Sequence, residues 1–129
     1  MEERLRKSGF RITPQRLELL RVLETKGSNH PSFSQVYEEV KTKLQSVSQS
    51  TVLKNMALFE EMGIVRSFSF DGETHYELNP KPHVNLVDSE GKIVDIEGEE
   101  IKKILNALID TIRKETGIES KTLLVMVKE

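Results

Sequence analysis

The sequence predicts an α+β fold in two parts, and three observations carry that prediction. Capped or amphipathic helical stretches fill the chain as far as Met62. They lead into two extended segments that meet at Asp71-Gly72. Beyond Asn79-Pro80-Lys81-Pro82, strand-like and helix-like segments alternate in a stretch too short to cover both faces of a sheet comfortably.

Each element has a local reason. A first helix is expected from Glu2 to Ser8, closed by Gly9. Thr13-Pro14 opens a second, because proline suits the first helical position after a good cap. Leu17, Leu20 and Leu23, with Glu24 at the edge, mark its expected buried side. Ser32-Phe33-Ser34-Gln35 has capping-box spacing and starts the third helix. Phe33, Val36, Tyr37, Val40 and Leu44 then recur at helical intervals. The fourth helix runs from Ser48 to Met62: Ser48 caps it, Val52, Met56 and Phe59 form its buried stripe, and Gly63 closes it. Ile64–Phe70 and Glu73–Leu78 flank Asp71-Gly72 as a hairpin. Helices followed by such a hairpin describe a winged helix-turn-helix.

Two prolines close together favour an extended hinge, which places a boundary there. Past it, Val84–Val87 and Lys92–Ile96 read as strands joined across Ser89-Glu90-Gly91. Glu99–Glu115 reads as a helix with Ile101, Ile104, Leu105, Leu108 and Ile112 on one side, ended by Thr116-Gly117. Leu123–Val127 is a continuous apolar strand, and with no further helix to cover it a partner subunit is expected. The organisation is therefore a winged-helix DNA-binding domain over 1–79, a hinge over 80–82 and a small α/β dimerisation domain over 83–129.

Composition narrows the function. Cysteine is absent, which removes disulfides, thiolate zinc sites and thiol nucleophiles together. Only His30, His75 and His83 supply imidazoles, so any metal site needs carboxylates or amides as well. No apolar run is long enough to cross a bilayer, and no apolar signal core follows the charged start; a cytoplasmic protein without membrane partners is expected. No nucleophile–base pair, glycine-rich phosphate loop or substrate-pocket signature stands out, so neither an enzyme nor a small-molecule substrate is expected.

Net charge is −2, but its distribution is uneven. Met1 to His30 holds seven Lys/Arg against four Asp/Glu, and the remainder is acidic. Affinity for DNA depends on the face presented to phosphate, so modest, salt-sensitive binding is expected. Gln49, Ser50, Thr51, Lys54 and Asn55 lie on the polar side of the fourth helix near its N-terminus, where a helix can enter the major groove. Lysine can donate to guanine and asparagine can pair with adenine. Asp71 and Glu73 make the wing tip acidic, so its backbone contact should be weak, and His75 in the wing should face DNA or solvent.

Four segments in order resemble the ferric uptake regulator (Fur) superfamily. They are Arg11-Ile12-Thr13-Pro14-Gln15-Arg16, His30-Pro31 with the helix after it, Val47 to Met56, and Gly91-Lys92-Ile93-Val94-Asp95. The resemblance implies a homodimeric, metal-responsive transcription regulator that binds palindromic operators in double-stranded DNA. It carries one divalent regulatory metal (Mn, Fe or Zn) per subunit near the hinge. The implied ligands are His30, Glu77, His83, Asn85 and Asp95; the family usually has histidine where Asn85 stands. The usual cysteine-bound structural zinc is ruled out, and Asp88-Ser89-Glu90 occupies the place of its first cysteine pair. Arg11 resembles a basic residue that enters the minor groove, and Leu53 replaces a tyrosine common in the family. Aspartate at Asp95 is shared with the peroxide-responsive (PerR-like) branch, which implies peroxide sensing as a further option.

Blander readings stand beside these. His30 before Pro31 is by itself a turn residue, His83 after Pro82 a linker residue, and Lys54 or Arg11 a solvated surface charge. At the level of the whole chain, the alternatives are a metal-independent winged-helix regulator with a degenerate site, and a winged-helix protein-interaction module.

Overall fold

The computed structural model describes residues 2–26, 30–78, 82–120 and 123–129. The chain divides into two units, Met1–Asn79 and Pro80–Glu129. Of the expected hinge, only Pro82 falls among the described residues.

The first unit holds α1 (Glu2–Lys7), α2 (Pro14–Lys26), α3 (Phe33–Lys43), α4 (Gln49–Glu61), β1 (Arg66–Phe70) and β2 (Glu73–Glu77). The helix starts follow their caps. Thr13 Oγ1 accepts from the Arg16 amide at 3.2 Å. Ser32 and Gln35 form the full capping box of α3. Ser48 accepts from the Thr51 amide at the start of α4. At the other end of α4, Gly63 turns at φ +75°, where a side chain would be strained. The Arg4 guanidinium of α1 donates to the Met62 carbonyl there, at 2.9 Å.

One apolar core joins these helices: Leu5 of α1, Leu19, Leu20, Val22 and Leu23 of α2, Val36 and Val40 of α3, and Val52, Met56 and Phe59 of α4. Ile64, Val65 and Tyr76 complete it from the hairpin side. Two expectations are corrected. Leu17 is exposed, and Leu19 with Val22 takes its place inside, because α2 is covered over a wider arc than the Leu17/Leu20 spacing suggested. Ile64 and Val65 are buried but precede the strand; the Ile64 amide is spent on the Phe59 carbonyl at 2.9 Å, closing α4. The antiparallel hairpin pairs Phe70 with Glu73 across a two-residue turn. Asp71 and Gly72 both have positive φ, as a type I′ turn demands.

The second unit holds β3 (Val84–Val87), β4 (Ile93–Ile96), α5 (Glu99–Thr116) and β5 (Met126–Lys128). Its sheet has the order β4-β3-β5, with β3 antiparallel to β4 and parallel to β5. Gly117, at φ +72°, closes α5. Buried apolar residues are few here: Val87, Ile93 and Leu105. The expected apolar side of α5 is buried at Leu105 alone, while Ile104 and Leu108 are exposed. The last strand starts three residues later than expected, and Leu124 and Val127 are half exposed. Fifty residues leave too little material to cover these groups from within the unit. No helix among the described residues is long and apolar enough to cross a membrane.

Core and surface positions should respond very differently to truncation. Phe59→Ala should cost about 3–5 kcal/mol of unfolding free energy. Leu17→Ala should stay within about 0.5 kcal/mol of wild type. Urea denaturation of both variants checks the contrast.

Candidate metal centre and nucleic-acid interface

Among the described residues, a histidine–carboxylate pair stands in each unit. In the first, His30 Nε2 lies 3.6 Å from Glu77 Oε2, and both side chains are almost fully buried. His30 precedes α3 and Glu77 ends β2, so the wing and the third helix position this pair together. Glu77 Oε1 also lies 3.6 Å from the Arg66 guanidinium, its cross-strand partner. A carboxylate this deeply buried requires such pairing. The neighbouring Tyr76 phenol points to the opposite face and is pushed above its ordinary value by burial, with the charge of Glu60 adding to the effect.

In the second unit, His83 Nε2 lies 3.6 Å from Asp95 Oδ1. Strand register explains this arrangement. Asn85 sits directly opposite Asp95, and His83, two residues before Asn85, shares its side of the chain. Asn85 is 1% exposed. Its Nδ2 donates to the Val125 carbonyl at 3.4 Å, while its Oδ1 is buried without a hydrogen-bond partner among the described residues.

The polar face of α4 is open. Gln49, Ser50, Leu53 and Lys54 are exposed, Leu53 at 55%, and Thr51 is half-buried. Asn55 differs from its expected place on the solvent side: it is half-buried, and both ends of its carboxamide are engaged. Its Oδ1 accepts from Arg16 Nε at 2.9 Å, and its Nδ2 donates to the Thr51 carbonyl at 3.1 Å. Arg11 is exposed.

Residues 7–126 match the Ferric uptake regulator family. The chain belongs to that family. Like its members, it is a metal-responsive transcription regulator. It is 36% identical over 127 residues to the ferric uptake regulation protein homolog of Archaeoglobus fulgidus, covering 98% of this chain and 93% of that one. It is 34% identical over 93 residues to the peroxide-responsive repressor PerR of Staphylococcus epidermidis, covering 70% of this chain and 61% of the relative. Among solved structures, the ferric uptake regulator from Pseudomonas aeruginosa with manganese is similar at a TM-score of 0.75 and 26% identity, covering 99% of this chain and 96% of that one.

Two residues of this family member hold contacts that their sequence positions do not display. Arg16 links α4 to the segment before α2: besides Asn55, it donates to the Arg11 carbonyl at 2.8 Å, and its guanidinium lies 5.9 Å from the centre of the Phe10 ring. Its sequence signal is the segment Arg11 to Arg16, which ends on a second arginine. His75 was expected to meet DNA or solvent. It is instead half-buried, its ring 5.7 Å from Phe68 and nearly parallel to it, and its Nδ1 2.8 Å from the His30 carbonyl. Strand alternation put His75 on the Glu77 side of β2, which was the available clue.

Arg16→Ala should destabilise the first unit by about 1–2 kcal/mol, as loss of charge-assisted hydrogen bonds does. It should also release the Asn55 side-chain amide, seen as collapse of its distinct NMR resonances toward free-amide values. Arg16→Lys should not restore them, since an ammonium cannot reproduce the guanidinium fork.

Proposed function

We propose that this regulator binds palindromic operators as a homodimer and that one divalent transition metal per subunit, Mn²⁺, Fe²⁺ or Zn²⁺, controls that binding. The observation that carries the reading is a histidine–carboxylate pair in each unit, with His30, Glu77 and His83 buried and Asp95 partly exposed. His30, Glu77, His83 and Asp95 together offer two imidazoles and two carboxylates, a mixed nitrogen–oxygen set suited to these ions. Asn85 adds a neutral oxygen, and the buried Oδ1 without a hydrogen-bond partner is an acceptor that a cation would satisfy. The donors therefore fit the ion. Bound there, it supplies positive charge that balances two carboxylates.

His30 and Glu77 belong to the unit that carries α4, while His83 and Asp95 belong to the other. Donors divided this way make the metal a tie between the two units. The ion favours the DNA-competent arrangement only if it binds that arrangement more tightly. A site enclosed by protein donors in this way is regulatory, and the chain has no catalytic role.

At the duplex, Lys54 and Leu53 read bases in the major groove, Leu53 by packing on a thymine methyl. Gln49, Ser50 and Thr51 hold the backbone, and Arg11 enters the minor groove. Asn55 positions the others from its hold on Arg16. The exposed Ile104 and Leu108 of α5 support a dimer through the second unit. Two α4 helices then lie about 34–36 Å apart on successive major grooves.

Stripped of metal with chelator, the protein should bind an operator selected from random duplexes weakly. Mn²⁺, Fe²⁺ or Zn²⁺ should strengthen binding by about 5–150-fold. In His83→Ala that response should disappear. Equal affinity with and without metal in the wild type would remove the control model and leave a metal-independent regulator. Lys54→Ala should cost about 1–3 kcal/mol at its own base position and relax preference there, measured by binding to single-base operator variants. Uniform weakening across all sequences would assign Lys54 to phosphate.

A further inference from the structure

His30 has an unusual backbone. Its φ is 52°, in the left-handed region that residues other than glycine seldom occupy. Such a conformation persists only where its surroundings impose it. Here the wing does so. His75 Nδ1 lies 2.8 Å from the His30 carbonyl. A carbonyl can only accept, so Nδ1 carries the proton and donates. The next amide along β2, that of Tyr76, donates to the Pro31 carbonyl at 2.9 Å, and Ser32 and His75 form a β-bridge. The segment is fixed on its far side too, because Ser32 is the N-cap of α3.

The imidazole of His75 is itself held in place. It pairs across the hairpin with Phe68, their rings 5.7 Å apart at 17°, and meets the edge of Phe70 at 5.8 Å. Phe68 also lies 6.2 Å from the His30 ring. One aromatic side chain thus packs against both histidines. His75 and Glu77 occupy alternate positions on β2, so the same strand face that supplies a carboxylate donor also grips the backbone of the imidazole donor.

We propose, on the metal reading above, that His75 is a positioning residue for metal uptake: its Nδ1–H clamps the His30 backbone in the strained turn that keeps the His30 ring beside Glu77. His75 does not touch the metal. It fixes a donor in advance, so that binding does not have to order the turn. Outer-shell partners that hydrogen-bond a ligand's side chain change metal affinity by about 10–100-fold when removed, and a clamp on the ligand's backbone is expected to act within that range.

Two substitutions separate the hydrogen bond from the packing. His75→Phe keeps an aromatic ring against Phe68 and Phe70 but has no donor. His75→Asn loses the ring but sets an amide nitrogen near the place of Nδ1. Affinities for Mn²⁺ and Zn²⁺ are measured on the full chain by competition with a fluorescent chelator, and thermal midpoints are recorded in EDTA. His75→Phe should bind both ions about 10–100-fold more weakly, with a metal-free midpoint lowered by about as much as the loss of one buried hydrogen bond, and His75→Asn should stay near wild type in both. Metal binding by His75→Phe as tight as wild type overturns the clamp, as does equal weakening in both variants. Should phenylalanine prevent folding, His75→Leu is close in size to asparagine and lacks the donor, so the same comparison holds. His83→Ala is the control for the underlying reading. If the wild type takes up neither ion, or His83→Ala binds as tightly as wild type, the shared metal site falls and the clamp loses its role with it.

Discussion

The burial of one stripe of α4 is the constraint on which the first unit depends. Val52, Met56 and Phe59 are almost fully enclosed by side chains from α1, α2 and α3. That enclosure leaves the helix no rotational freedom, since turning it would expose Phe59 and bury Lys54. The open face with Gln49, Ser50, Leu53 and Lys54 is thus an outcome of core packing. The caps act on the same helix at its ends. Ser48 satisfies a first-turn amide, and Arg4 reaches over from α1 to the last turn. Arg16 extends the control to the surface by tying Asn55 and the Arg11 backbone to a single guanidinium.

The histidine–carboxylate pairs stand apart from the apolar core and follow a different rule. His30, Glu77 and His83 are buried deeply enough to need partners, and each pair supplies some of what they require. In the first unit the cost includes backbone strain at His30, balanced by hydrogen bonds from β2. In the second, register accounts for the arrangement without strain, with His83, Asn85 and Asp95 brought to one face by strand alternation and by the pairing of β3 with β4. The two halves of the proposed centre thus rest on unlike foundations. One depends on a turn held by the wing, and the other on regular sheet geometry.

The second unit is the less self-sufficient of the two. Its buried apolar residues are few, and large apolar groups on α5 and β5 remain exposed. A helix as amphipathic as α5 gains most from covering its apolar side. The exposed set continues the logic of a small sheet with one helix, and it is the surface that the proposed dimer would cover. The shape of the open α4 face, by contrast, is set entirely within the first unit.

Periodicity and capping determined much of this protein without reference to tertiary structure. The stripe on α4, the capping box at Ser32, the Asp71-Gly72 turn and the pairing of β3 with β4 all arise from interactions within a few residues or across one turn, so local spacing reveals them. Motif order supplied the proposed donors His30, Glu77, His83, Asn85 and Asp95; in the structure His30 lies beside Glu77, and His83 beside Asp95 with Asn85 opposite it in register. What the tertiary structure decided involves partners far apart in sequence. Leu17 gave way to Leu19 and Val22 because neighbouring helices, and not the helix itself, determine how wide an arc of α2 is covered. Asn55 became a partner of Arg16, and His75 turned from solvent to the His30 carbonyl. No local pattern encodes those contacts: a polar side chain has the same spacing whether it faces water or a backbone carbonyl 45 residues away, and only the folded chain brings the second group within reach.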